Sequence, residues 1–145
     1  MSFFGGHSLQ ELRNSILKAE MALNDGASRH IHPMIDHQSF AGLLQTAQFA
    51  LPVVDFDRIH VSYSDLNNLY IDLKNMGEGN ALYDRSSPFT QELKDAAEQC
   101  YKHDFFDNGY ITTFDILHAI GWTPHESQQQ PAKRGSGQVS LTEIL

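Results

Sequence analysis

Cysteine is nearly absent from this chain: Cys100 stands alone among 145 residues. It has no partner for a disulfide within one chain and no companion thiols for a Cys-based zinc site, which fits a reducing compartment. Positive charge is scarce as well. Ten Lys plus Arg stand against eighteen Asp plus Glu, a formal charge of −8 with His neutral, and that balance excludes a broad attraction to nucleic acid or anionic lipid. No apolar run approaches the roughly 18 to 20 residues of a membrane span, and the opening Met1-Ser2-Phe3-Phe4-Gly5-Gly6 is neither a signal peptide nor an arginine-rich presequence. There is no internal repeat and no Gly-x-Gly-x-x-Gly. The expectation is a chain of cytosolic type. With 41% hydrophobic and 19% charged residues, it is expected to fold around one core and is short for a two-lobed enzyme.

The residues that are present divide into helices and strands. Phe3 and Phe4 run into Gly5-Gly6 like the end of a buried strand. Ser8 and Glu11 then make a capping box, Leu9, Leu12, Ile16, Ala19 and Leu23 follow at helical spacing, and Asn24-Asp25-Gly26 stops the chain, which predicts a helix over 9–23. Residues 25–37 read as a polar, His-rich loop. Asp36 caps a second helix with Phe40, Leu43, Leu44 and Ala47 on one face. Val53, Val54, Phe56, Ile59, Val61 and Tyr63 form an extended stretch whose apolar phase changes near Asp57, which suggests a bulge or bend there, and Pro52 puts its start at an end or edge. Ser64 opens a third helix, Ser87-Pro88 a fourth that carries Cys100 inward as a small core residue. Tyr110–Trp122 is β-branched and aromatic on both faces, as in a strand buried within a sheet.

One stretch tests whether the chain cradles phosphate. Gly77-Glu78-Gly79 follows the third helix, where Gly77 stands as a left-handed terminating residue. A phosphate loop needs a strand before the glycines and a helix amino end after them; here the carbonyl end of a helix faces the loop, with the wrong field for an anion. Among other candidates, Arg29, His30, His32 and His37 fall in a loop without metal-ligand spacing and read as ordinary loop residues rather than a metal site. Trp122 and His125 either line a pocket or close the core. Lys133-Arg134 is a short basic spot in an extended tail over 123–145. Two full strands and a stub do not make a stable sheet unaided, so something is expected on the amino-terminal side.

Three segments, residues 4–13, Asp72-Leu73-Lys74-Asn75-Met76-Gly77-Glu78-Gly79-Asn80, and residues 121–136 around His125-Glu126-Ser127, resemble the C-terminal half of class I S-adenosylmethionine-dependent methyltransferases. The likeness is nearest to the mitochondrial complex I assembly factor branch and more distant to the malonyl-carrier-protein methyltransferases of biotin synthesis. It implies an α/β chain that is the C-terminal part of a Rossmann-like fold: a domain over 1–122 with lid helices at about 64–105, and an absent N-terminal half that would carry the cofactor loop. It further implies S-adenosylmethionine as cofactor of the intact family, with none expected to bind this chain alone. As substrate contacts it points to Asn80 and Arg85, and, for an arginine substrate on a protein partner, to Asp72 and Glu78. The bland alternative has Arg85 bridging Asp72 or Asp84 and Asn80 completing the turn. Two functions follow from different classes: an enzyme part inactive alone, or a non-catalytic assembly module. The open edge of the last strand predicts a homo-oligomer or pairing with the missing half, in a bacterial cytoplasm or a mitochondrial matrix.

Overall fold

β3 (Tyr110–Trp122) is the axis of a three-stranded sheet of order β1-β3-β2. The computed structural model describes residues 1–24, 26–81, 88–129 and 132–136. β2 (Ala50–Tyr63) pairs antiparallel with β3 from Val53↔Ile120 to Tyr63↔Tyr110, and β1 (Ser2–Gly5) lies on the other side, from Ser2↔His118 to Gly5↔Asp115. An apolar strand flanked on both edges and covered on both faces is what the residues of β3 foretell. The open edges therefore belong to β1 and β2, not to the last strand, which corrects the expectation of a free edge there.

The expected bulge near Asp57 is not found. The register runs unbroken past Asp57↔Ile116, and the one irregularity falls between Ala50 and Val53, where Leu51 takes a φ of 49° beside Pro52. The change of apolar phase has another cause: both faces of β2 are used. Phe56 turns toward α2 (His37–Thr46), where the His37 ring stacks on it at 4.9 Å. Val61 and Tyr63 turn the other way, onto the main core.

That core gathers Leu12, Ile16 and Ala19 of α1 (Gln10–Asn24), Leu66, Leu69 and Leu73 of α3 (Leu66–Asn75), Leu93, Ala97 and Tyr101 of α4 (Gln91–Phe105), and Phe114 of β3. The helices of the expected lid thus share one buried layer with α1. Cys100 is half-buried against it, as a small core residue would be. Tyr70 lies at its margin with a buried hydroxyl that makes no hydrogen bond with any described residue. Asp36 caps α2 by accepting from the Ser39 amide at 2.9 Å, as its sequence suggests. Two other caps shift by one or more residues: Asp65 rather than Ser64 accepts from the Asn67 amide, and Thr90 rather than the Ser87-Pro88 pair accepts from the Leu93 amide. Ser87 lies outside the described residues.

The capping box predicted for α1 does not form. Leu9 takes a φ of 57° and the helix begins at Gln10. Ser8 Oγ instead accepts from the Asp115 amide at 2.8 Å, and the Glu11 carboxylate accepts from the amide and hydroxyl of Thr113 at 3.0 and 2.5 Å. The Leu9 amide donates to Thr113 O at 2.8 Å. The reason is that β1 stops at Gly5 while β3 runs on, so β3 has edge groups that must be met. The start of α1 meets them with the chemistry a capping box would have used.

Asp115, buried at 3% side-chain exposure, closes this joint. Arg58 grips it as a fork, Nε to Oδ1 at 2.7 Å and Nη2 to Oδ2 at 2.9 Å, and the His7 amide donates to Oδ2 at 2.8 Å. Gly6, at a φ of 54°, passes so close that a Cβ would strike the Asp115 carboxylate. The Arg58 guanidinium, against the opposing effect of burial, holds the Asp115 carboxyl below the ordinary carboxylate range. Its contribution to stability is then present above the unfolded-state value of about 3.9 and is lost as pH falls through the lower folded value. We expect Asp115→Asn to cost about 1–3 kcal/mol at neutral pH, the range being reduced because Arg58 is half exposed. In denaturant titrations the gap between native protein and variant should narrow as the pH drops below about 4; a gap independent of pH would contradict this account.

Candidate functional site

A cavity of about 490 Å3 lies between β1, α1, the 30–35 loop, the end of α3 and Phe89. Phe3 and Phe4 point to opposite faces of β1, yet both reach it, so it sits beside the strand's outer edge. Its walls are largely apolar, from Leu12, Ile16, Ile31, Met34 and Phe89. The polar groups are few: His30, His32, Tyr70, Lys74, Glu78 and Asn80. Such a pattern, apolar walls with convergent polar groups, is that of a small-ligand site.

The glycine stretch contributes to this cavity as a helix end. Gly77 has a φ of 79°, the Gly77 amide donates to Lys74 O at 3.1 Å and the Glu78 amide to Leu73 O at 2.9 Å, a Schellman closure of α3. The carbonyl end of α3 and the Glu78 carboxylate therefore both face the same region. They favour a cation, against the opposing charge of Lys74 in the same wall. Asn80 Nδ2 donates to Arg29 O at 3.2 Å and the Ala81 amide to His32 Nε2 at 3.2 Å, which ties the turn to the 26–36 loop across the cavity mouth.

Of the four residues singled out as substrate contacts, the three described ones divide between two hollows. Glu78 and Asn80 line this cavity. Asp72 faces a second hollow of about 250 Å3 with Ile59, Tyr63 and Met76, where burial first and Asp72 second raise the Tyr63 hydroxyl. The two acids thus line different hollows. Arg85 and Asp84 lie outside the described residues. Trp122 is exposed at the end of β3, and His125 bonds Ser127 in a turn of the following segment; neither lines this cavity or the core.

The His-rich loop is not ordinary throughout. His30 packs against Phe89 and its Nε2 lies 2.9 Å from Oε1 of Glu20, which is 1% exposed on α1. The Ser28 amide donates to the other Glu20 oxygen at 2.6 Å. Burial pushes the Glu20 carboxyl up, but the Ser28 amide and His30 outweigh it and hold the group below its ordinary value. Sequence reasoning passed over Glu20, although a charge four residues after Ile16 and eight after Leu12 stands on the apolar stripe of α1 and signals a buried partner. His37 lies away from the cavity, at the start of α2 and stacked on Phe56 of β2. Among the described residues no group of three His, Cys, Asp or Glu is placed to hold a metal.

Among the described residues, a strand and two glycines precede a helix at β1 to α1, and there the amides of His7, Ser8, Leu9 and Gln10 are all taken, by Asp115, Gly5, Thr113 and His7, so this turn does not offer the free amides of a glycine-rich cofactor loop. None is left to receive a ligand.

No family model matches the chain. Among curated proteins it is similar to the mitochondrial arginine-hydroxylase NDUFAF5 of Dictyostelium discoideum, 38% identical over 99% of this chain and 34% of the relative. It is 37% identical to the human protein of that name, over 99% of this chain and 42% of the relative. A malonyl-[acyl-carrier protein] O-methyltransferase of Xylella fastidiosa is 30% identical over 85% of this chain and 40% of the relative. The family likeness seen in the sequence thus holds over nearly the whole chain, and the chain spans less than half the length of these relatives.

The two glycines provide a test of the turn. Gly77→Ala forces a side chain into the left-handed region and should cost about 1–2 kcal/mol, whereas Gly79→Ala, with open space around it and no such φ, should leave the denaturation midpoint unchanged. Equal losses at both positions would argue for a backbone cradle instead.

Proposed function

We propose, from a chain related along nearly all of its length to arginine-hydroxylases and more distantly to methyltransferases, that it is the substrate-side part of such a protein. In this reading it corresponds to the C-terminal part of a Rossmann-like fold, β1, β2 and β3 being that sheet's last three strands. S-adenosylmethionine, the cofactor the methyltransferase relatives imply, would be bound by a part other than this one. The observation that carries the reading is the cavity at the outer edge of β1, with Glu78 at the carbonyl end of α3. Met1 and Ala119 exchange both backbone hydrogen bonds, at 2.7 and 2.9 Å, so the alternation of an antiparallel pair turns the amides of Ser2 and Phe4 outward, toward the cavity side. A strand added there would complete the sheet and close the cavity over its ligand.

The substrate suggested by the relatives' name and by the site's charge is an arginine of a protein partner. Its aliphatic stem suits the apolar walls, and its guanidinium suits Glu78 and the α3 carbonyls, with Asn80 holding the turn in place. Arg85, five residues beyond Asn80, stays in the candidate set on sequence grounds; Asp72 does not join it. The relatives named arginine-hydroxylase are mitochondrial, which supports a mitochondrial matrix for this chain, with a bacterial cytoplasm the alternative; none of the described helices is long and apolar enough to cross a membrane. The occupied amides of the β1–α1 turn equally favour a second reading, a module that binds a protein partner without catalysis.

Calorimetry of this chain with S-adenosylmethionine should show no specific heat, and micromolar binding would sink the reading. A short arginine peptide should bind, about tenfold more weakly to Glu78→Gln, since a charge-assisted contact is lost; equal affinity removes Glu78 from the site. Capture of a protein partner without turnover, even when the rest of the relatives' length is supplied, would select the binding module. Light scattering at tens of micromolar should show a dimer held through β1, and a clean monomer would contradict pairing at that edge.

A further inference from the structure

Glu20 and His30 form a buried acid–imidazole pair of which His30 lines the cavity, and its wiring fixes which ring nitrogen carries the proton. The Glu20 carboxylate is ionised and can only accept. One of its oxygens is taken by the Ser28 amide at 2.6 Å and the other lies 2.9 Å from His30 Nε2, so Nε2 must carry a proton. The His30 side chain is 8% exposed and lines the cavity, and its Nδ1 makes no hydrogen bond with any described residue. In the neutral ring Nδ1 is then a lone pair offered from a nearly buried wall. A buried acceptor of this kind is matched by an N–H donor.

We infer that His30 Nδ1 accepts a hydrogen bond from the cationic N–H donor of the bound substrate, and that Glu20 is the positioning residue that keeps this lone pair in place. The inference rests on the reading of the cavity as the substrate site. It adds to that reading a second, neutral acceptor beside Glu78, suited to a guanidinium, which presents several N–H groups in one plane.

Glu20→Gln tests the wiring. The Ser28 amide still needs an acceptor, so it orients the new amide with its oxygen toward Ser28 and its NH2 toward His30. Nε2 must then accept, and the proton moves to Nδ1. Nitrogen NMR of the imidazole in the full chain should show the Nε2–H form in the native protein and the Nδ1–H form in the variant, and affinity for an arginine peptide should fall about tenfold. The peptide should shift His30 Nδ1 together with the Glu78 and Asn80 amides. Movement of those amides without His30 Nδ1 overturns the inference and leaves the cavity reading intact; no movement anywhere ends both. A native ring in the Nδ1–H or doubly protonated form also overturns it. Should Glu20→Gln fail to fold, His30→Asn, which retains an oxygen at the level of Nδ1, should bind better than His30→Gln, which places one at the level of Nε2; the reverse order rules the proposal out.

Discussion

The structure depends on how β3 is met at its edge once β1 has ended. A strand that runs past its neighbour leaves amides and carbonyls that must be hydrogen-bonded when buried, because each orphaned group costs about 1–3 kcal/mol. Here Ser8, Leu9 and Glu11 meet Thr113 and Asp115, and Asp115 in turn binds the His7 amide and Arg58. The joint explains the paired glycines: Gly6 passes against the carboxylate and Gly5 against Leu117 and Ile35, where a Cβ would lie 2.5 and 2.7 Å from their atoms. It also fixes where α1 starts, and with it the position of Glu20 two and a half turns along.

The same acids that anchor the fold shape the site. Glu11, Glu20 and Asp115 are each nearly fully buried, and each is bound by backbone amides as well as side chains. Buried carboxylates are tolerated when their oxygens are so occupied. Glu11 spends its own on Thr113 of β3, and Asp115, itself on β3, on the His7 amide and Arg58 of β2. Glu20 spends its own on the 26–36 loop, and so turns a polar segment into a cavity wall.

Much of the architecture was legible in the residues. The β-branched run of 110–122 marks a central strand, the spacing of Leu12, Ile16 and Ala19 marks a helix, and Gly77 after a helix marks a turn and not a phosphate loop. The failures share a cause: short polar side chains serve nearby or distant backbone equally well, and local pattern does not say which. Ser8 and Glu11 resemble a cap and instead hold a strand over a hundred residues away. Glu78 and Asp72 stand six residues apart in sequence, but the turn of α3 sends them to separate hollows. Glu20 was legible as a charge on an apolar stripe, while its partner His30, across an irregular loop, was not.

β2 offers the longer free border of the sheet, yet it is guarded by Pro52 at its start and by Asp55, Asp57 and His60 along its exposed length, features that discourage fibrous stacking. β1, by contrast, is short and carries two phenylalanines. Were two copies to pair through β1 as proposed, the border left over would be that of β2, where the proline and the charges oppose further growth.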